Sequence, residues 1–522
     1  MANKQLFKSG KGRLLPRAKA KNQEGAIAYA FGPKHALAQF AATGTLSATF
    51  YASAESQLEQ LIGFADQVSP EFLAKTAIYM RQQGFMKDSP ALLVALLSTK
   101  DARLTRLVFP RVIDNAKMLR NFVQILRSGV LGRKSLGTMP KALVRGFLDA
   151  KSDLALFRDG VGNDPSLADV IKMVHPKPAS PARSALYGYL LNKPHDASLL
   201  PAEVQAFENF KADPKGASEV PDVPFQMLTA LPLGKREWQA IARRAGWQMT
   251  RMNLNTFLRH GVFEDSELAQ TVAKRLGNPR LVAQARVFPY QLLMAYKAAG
   301  TELPAVIREA LQDAMEHATQ SVPAFAQRVV VLPDVSGSMR SPVTGYRKGA
   351  TSAATCVDVA ALIASVVLRN HKDARVLPFE HRVVDIQLNP RDSVMTNAQK
   401  LASVGGGGTS LSAPLEKLNR ERAKADLVIY VSDNESWVDD KRRGATELLR
   451  QWEQFKLRSP AAKLVCIDLL PYGTTQAMDR DDILNVGGFS DQVFKVIRAF
   501  AQGNLGAEHW VGEIEKVNLE AN

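Results

Sequence analysis

Long apolar runs are missing from this 522-residue chain. No stretch reaches the 18 or so consecutive apolar residues of a transmembrane helix, so none is expected. Cysteine is scarce: Cys356 and Cys466 are the only two. Neither has another metal-ligand residue at short spacing. They read as buried, reduced thiols, as expected of a cytoplasmic protein, and not as a disulfide framework or zinc site. Catalytic signatures are missing as well. There is no His-Glu-x-x-His, Cys-x-x-Cys or Gly-x-Ser-x-Gly, which removes the metalloprotease, zinc-site and hydrolase patterns. The run Gly405–Gly408 lacks the Gly-Lys-Ser/Thr ending of a phosphate-binding loop. The pairs Asp439-Asp440 and Asp481-Asp482 read as solvated carboxylates at helix starts. The chain is therefore expected not to be an enzyme.

Charge is present in excess, and it is unevenly placed. The net charge is +16. Residues 1–325 carry 42 Lys and Arg against 27 Asp and Glu, while residues 326–522 carry 25 against 24. A basic excess confined to one part of a chain is the electrostatic footprint of a polyanion binder, most often of nucleic acid. The segment Lys4 to Lys21 is basic and has no apolar core of a secretory signal. It reads as a flexible basic arm, residues 1–21.

Residues 22–325 read as helical. Apolar positions recur near every 3.6 residues in segments at about 58–65, 70–80, 90–98, 104–114, 118–128, 139–150, 167–173, 183–191, 202–210, 236–246, 267–275 and 304–317. Many short helices in antiparallel pairs predict an α-solenoid of HEAT type. With no strict sequence period, an irregular helical domain is the alternative. Past residue 325 the pattern changes. Short apolar strands at 328–334, 375–379, 383–388, 426–432 and 463–469 alternate with helices at 355–369, 411–422, 445–457 and 491–502. Strand–helix alternation of this kind predicts a doubly wound parallel α/β sheet over 326–502. Residues 503–522 are expected to form a last segment that packs back on the helical region.

Three loops of the α/β region carry oxygen donors. The strand Val329-Val330-Val331-Leu332-Pro333 runs into Asp334-Val335-Ser336-Gly337-Ser338. Thr409 follows the glycine run. Asp433 follows the strand Leu427-Val428-Ile429-Tyr430-Val431. All belong to the carboxyl edge of the sheet, where open α/β folds bind ligands. One carboxylate and two hydroxyls on a tight loop, with a threonine and a second aspartate, suit one divalent cation such as Mg²⁺ with a position left open.

In the helical region three basic clusters stand out. They are Arg103, Arg106 and Arg111; then Arg127, Arg133, Lys134 and Lys141; then Lys172, His175 and Lys177 at a helix end. Such side chains suit backbone phosphates. Few aromatics lie near them, so a base-stacking platform is not indicated.

The two halves in this order resemble the Ro autoantigen (TROVE-domain) family, specifically its bacterial members. The likeness rests on Asp334-Val335-Ser336-Gly337-Ser338-Met339, Gly407-Gly408-Thr409 and Ser432-Asp433-Asn434-Glu435-Ser436. In the helical half it rests on Asn22-Gln23-Glu24-Gly25-Ala26 and the Asp169-to-Pro178 stretch. The resemblance implies a HEAT-like ring closed by a von Willebrand factor A domain. It implies a Y-like small noncoding RNA on the outer surface and single-stranded 3′ ends of misfolded or immature RNA in the cavity. It also implies work beside an exoribonuclease in RNA quality control. Carried over by position, Lys172, His175, Lys177, Arg133 and Lys134 would contact RNA, and Asp334, Ser336, Ser338, Thr409 and Asp433 would hold the ion. Many relatives have Asp after Gly-Gly-Thr where this chain has Ser410. The rival reading is a metal-dependent adhesion or scaffold module, in which a partner's carboxylate fills the ion's open position.

Overall fold

The structure is a computed structural model. It describes residues 15–520 apart from 45, 163–164, 288, 301, 321, 323–324, 326–327, 347–353, 372, 439–443 and 506–507. Asp439 and Asp440, and the arm as far as residue 14, lie outside the described residues. By proximity the chain divides into two compact units. One comprises residues up to Val68, a short piece ending at Tyr290, and Thr319–Lys516; the other comprises Ser69–Val287, Gln291–Ala318 and the residues from Val517. No helix among the described residues is long and apolar enough to cross a membrane.

The second unit is helical throughout. Its helices include Pro70–Gln82, Asp88–Lys100, Ala102–Val112, Ala116–Arg127, Thr138–Asp149, Leu167–Val174, Pro181–Leu190, Ala202–Ala212, Lys235–Arg244, Ser266–Leu276 and Ala305–Thr319. Each matches a segment marked by its apolar spacing. Starts are set locally. Ser69, Asp101, Asn115 and Ser166 each accept a backbone N–H from the first turn, satisfying a donor the helix cannot. Helix Asp88–Lys100 is buried on all sides from Ser89 to Leu97 and packs against Pro70–Gln82, Ala102–Val112 and Ala116–Arg127. Helices contact mainly their neighbours in the chain, the organisation of a helical-repeat solenoid.

The first unit is built on a five-stranded sheet. Among the described residues eight strands occur in chain order: β1 Ala20–Lys21, β2 Ile27–Ala30, β3 Val329–Pro333, β4 Arg375–Val376, β5 Leu427–Ser432, β6 Lys463–Asp468, β7 Thr474–Thr475 and β8 Ile483–Gly487. The main sheet has the order β4-β3-β5-β6-β8, and every pairing in it is parallel. Val330, Leu332, Val428, Tyr430, Leu464 and Cys466 face one core, where Trp452 and Phe455 pack. Val331, Ile429, Val431, Val465 and Ile467, on the alternating positions, are buried too. Burial on both faces is why these strands read as unbroken apolar runs. Both cysteines are free and buried.

Several features differ from the expected pattern, among them strand β8 and helix Val394–Ala402, which the apolar spacing did not mark. Residues 383–388 form no strand. Val383 makes only an isolated bridge to Phe379, and the Val384 N–H turns back to the Pro378 carbonyl at 2.8 Å instead of joining a ladder. Helices Pro33–Thr43 and Ala54–Asp66 belong to the α/β unit. A small antiparallel sheet, β1-β2-β7, joins the segment around residues 20–30 to that unit. In the last segment, helix His509–Glu515 packs on β8 and on Pro33–Thr43. Beyond it, the Asn518 carbonyl accepts from Arg111 Nη1 at 2.7 Å.

One buried ion pair locks the far edge. Asp482 accepts from Trp452 Nε1 at 2.9 Å and from Arg480 Nε and Nη2 at 3.0 Å. Burial alone would raise its pKa, but Arg480, helped by Trp452 and Lys456, holds it below the ordinary carboxylate value. Such a group contributes stability that is complete above about pH 4 and is lost as pH falls through its folded-state pKa. Asp482→Asn should therefore destabilise the protein by about 2 kcal/mol at pH 7, because it leaves Arg480 short of a partner. Melting curves at pH 7 and pH 3 check this. The loss should shrink in acid, and equal losses at both pH values would contradict the assignment.

Candidate functional site

The parallel register decides where the oxygen donors meet. Pro333 pairs with Val431 across β3 and β5, so the loops that follow leave the sheet side by side. The Asp334 N–H donates to the Val431 carbonyl at 2.9 Å. The Asp334 carboxylate accepts from the Ser336 N–H at 2.8 Å and from Ser432 Oγ at 2.6 Å. Ser336 Oγ and Ser338 Oγ lie 3.4 Å apart. The third loop is drawn in by glycine. The Gly337 N–H donates to the Gly407 carbonyl at 2.8 Å. A Cβ at Gly405 would lie 2.3 Å from the Val335 carbonyl oxygen, at φ +79. Thr409 then lies beside the loop after β5, its carbonyl accepting from Trp437 and Val438 N–H groups at 3.2 and 3.1 Å. Asp334, Ser336, Ser338, Thr409 and Asp433 are all buried.

Negative charge is crowded and buried at this edge. Burial, and then the charge of Asp433, push the Asp334 carboxyl up to about 7. Burial raises Asp433 as well. Asp433 Oδ2 is buried without a hydrogen-bond partner among the described residues. A fully buried carboxylate oxygen with no donor is costly. Two carboxylates and three hydroxyls offer hard oxygen donors of the kind Mg²⁺ takes. Among the described residues no three His, Cys, Asp or Glu side chains converge on one point, so hydroxyls would have to complete the shell. Ser410 is turned elsewhere: its N–H donates to the Glu380 carbonyl at 3.0 Å and its Oγ lies 3.3 Å from Ser412 Oγ.

Glu435 is a site residue that motif reading passed over. It is fully buried. One oxygen accepts the Gln23 N–H at 2.8 Å, and Oε1 has no partner among the described residues. Burial, and then Asp433, push its carboxyl well above the ordinary range. The signal was available: Ser432 to Ser436 are five consecutive polar residues after an apolar strand, and all five are buried.

In the helical unit the cations gather at one helix end. Ser166 and Asp169 form a capping box that starts Leu167–Val174, and His175 closes it at φ +50. The left-handed residue, followed by Pro176 and Pro178, turns the chain outward. Lys172, His175 and Lys177 are exposed there. Two arginines from neighbouring helices join them. Arg145 Nε donates to the Val174 carbonyl at 2.5 Å, and Arg127 Nη1 lies 3.0 Å from Met173 Sδ. The C-terminal end of a helix dipole favours such cations, and their remaining donors suit phosphate oxygens. Arg145 was not a sequence candidate, because its role depends on a contact 29 residues away. Lys134 is exposed. Arg133 is half-buried and points inward, with Nη2 donating to Ser98 Oγ at 2.7 Å, and burial lowers its pKa. Arg103 and Arg106 are exposed, while Arg111 holds the carbonyls of Asn518 and Leu519 at 2.7 and 3.3 Å.

Comparison with known proteins places these sites in a familiar frame. Residues 328–501 match the family model described as the Ro60 vWA domain. The "RNA-binding protein RO60" of Deinococcus radiodurans is 26% identical over 531 residues, covering 94% of this chain and 97% of that protein. The "RNA-binding protein RO60" of Caenorhabditis elegans is 22% identical over 257 residues, covering 46% of this chain and 38% of that protein. The crystal structure of the Deinococcus radiodurans RO (RSR) protein superposes with a TM-score of 0.61 at 24% identity, covering 91% of this chain and all of that one.

Gly405→Ala tests the packing of the oxygen-donor loops. A side chain there must adopt a left-handed backbone and meet the Val335 carbonyl, which costs about 1–2 kcal/mol from the backbone alone. The melting temperature should drop by several degrees, and an unchanged melt would contradict the close approach described.

Proposed function

We propose that this chain, Ro-like along nearly its whole length, is an RNA-binding adaptor and not an enzyme. The observation that carries the proposal is the convergence of Lys172, His175, Lys177, Arg127 and Arg145 on one exposed helix end. Support comes from the relatives, which are named RNA-binding proteins. It comes also from the concentration of positive charge before residue 326. Guanidinium and ammonium groups would hold the phosphate backbone, and His175 would add a hydrogen bond to sugar or base. Lys134 extends the surface, and Arg133 supports it from within through Ser98.

The finer assignment follows the family resemblance. The structured partner is a Y-like small noncoding RNA. A second class of partner is the single-stranded 3′ end of misfolded or immature RNA, which the adaptor presents to a 3′-to-5′ exoribonuclease in the cytoplasm. Two free, buried thiols are consistent with a reducing compartment.

In the α/β unit, Asp334, Ser336, Ser338, Thr409 and Asp433 would hold one divalent cation, with Mg²⁺ the best fit to their chemistry. The partnerless Asp433 oxygen and the crowded Asp334 carboxyl support that reading. When bound, the ion supplies positive charge that offsets the buried carboxylates. Asp334 and Asp433 would anchor it, and the Ser336, Ser338 and Thr409 hydroxyls would orient it.

Gel-shift titration with a structured RNA bearing a single-stranded 3′ tail tests the function. Four lysine and arginine contacts predict a logarithmic salt slope of roughly −3 to −4. Salt-independent binding, or none at 50 mM salt, would count against it. Replacing Lys172 and His175 together by alanine should weaken binding roughly tenfold with the melting curve unchanged. Asp334→Ala separates this reading from adhesion through the ion. RNA affinity should stay within about twofold, because no phosphate contact is lost.

A further inference from the structure

The strands β1 and β2 form a hairpin whose tip is Asn22–Ala26. Lys21 pairs with Ile27, and β2 pairs in turn with β7. The tip is closed within itself. The Asn22 N–H donates to the Ala26 carbonyl at 2.9 Å, and the Gly25 N–H donates to the Asn22 carbonyl at 3.0 Å. The Ala26 N–H donates to Asn22 Oδ1 at 2.9 Å. Gly25 takes φ +80, a backbone that side-chain-bearing residues avoid. Nothing in these contacts requires the tip to touch the main sheet.

It does touch it, on the loop that carries Asp433. Asn22 Nδ2 donates to the Ser436 carbonyl at 2.7 Å, and the Gln23 N–H donates to Glu435 Oε2 at 2.8 Å. The same loop is tied to the oxygen-donor residues. The Glu435 N–H donates to Asp433 Oδ1 at 3.3 Å, and Ser436 Oγ donates to the Thr409 carbonyl at 3.5 Å. Any cation that fixes Asp433 and Thr409 therefore fixes the surface on which the tip rests.

Charge points the same way. The tip brings Glu24, an exposed carboxylate, to the loop that carries Asp433 and Glu435. Tyr51 adds a second link between the tip and the donor loops, since its phenol neighbours both Glu24 and Ser338. Without a cation this gathering is repulsive. Asp433 Oδ2 and Glu435 Oε1 are both buried and without hydrogen-bond partners among the described residues. Each of these oxygens is buried without the donor or positive charge that would offset the cost of its burial.

We propose that the β1–β2 hairpin is a built-in cover for the cation site: ion binding and docking of the Asn22–Ala26 tip stabilise each other, with Glu435 as the residue that joins them. The proposal rests on the cation reading given above. Glu435 is a positioning residue here, holding the tip through Gln23. Coupling of this kind is reciprocal, so the tip must strengthen ion binding by the factor by which the ion strengthens docking. It also implies that the open position of the ion faces the chain's own hairpin and not a partner protein.

Hydrogen exchange read by mass spectrometry on the full-length protein tests this, with Mn²⁺ electron paramagnetic resonance reporting ion occupancy. Peptides spanning residues 20–30 should exchange roughly tenfold more slowly with ion than with chelator, within the usual range of coupling factors. Glu24→Gln removes the repulsive charge and should shrink that difference by protecting the tip in chelator. Asn22→Ala removes the anchor and should weaken Mn²⁺ binding several-fold while the melting curve of the rest is kept. Bound Mn²⁺ with unchanged exchange of residues 20–30 would overturn the coupling alone. Absence of Mn²⁺ binding would overturn both the coupling and the cation reading on which it rests.

Discussion

Crowded charge of one sign organises each unit of this molecule. In the α/β unit the crowding is negative and buried. Asp334, Asp433 and Glu435 are fully enclosed, and two of their oxygens have no partner among the described residues. In the helical unit the crowding is positive and exposed, around the end of Leu167–Val174. Each arrangement costs free energy that a partner of opposite sign would offset, a small cation in the first case and a polyanion in the second on the reading proposed above. The fold supplies what holds like charges together: a parallel register at the sheet edge and a capped helix end braced by two neighbours.

These two solutions differ in how much freedom they leave. The buried site is fixed by backbone contacts among the loops, such as the Gly337 N–H on the Gly407 carbonyl at 2.8 Å. Its geometry therefore suits an ion of defined size and ligand demand. The exposed site is built from long side chains that keep most of their rotamers. It suits a phosphate backbone, which demands charge more than exact position. Affinity without tight sequence reading is the natural consequence, and it fits an adaptor for structured RNA.

Much of this was legible in the sequence, and the rest was hidden for physical reasons. Helices such as Pro70–Gln82 and Ala116–Arg127 announced themselves by apolar residues at helical spacing, whereas Trp247–Met252, Leu254–Arg259 and Pro289–Ala299 did not. Strands β3, β5 and β6 were legible because both their faces are buried. The stretch 383–388 misled because its alternation resembles a strand, but its Val384 N–H turns back to the Pro378 carbonyl and joins no ladder. The donors Asp334, Ser336, Ser338, Thr409 and Asp433 could be nominated because they follow recognisable strands, and the register brings their loops together. Glu435 was passed over: the polar run Ser432 to Ser436 marked it, but its partner Gln23 lies 412 residues away. Arg133 shows the converse limit. Its charge marked it as a surface candidate, but its guanidinium reaches Ser98, 35 residues back in the chain, and composition carries no information about such a contact.

The central claim is that RNA is held by the cations around the end of Leu167–Val174. Ultraviolet crosslinking of the full-length protein to its co-purifying RNA, mapped by peptide mass spectrometry, tests it most directly. The account predicts crosslinked peptides concentrated within residues 127–177, with His175 and its flanking lysines among them. Crosslinks confined to residues 326–502, or protein that carries no RNA at low salt, would contradict it.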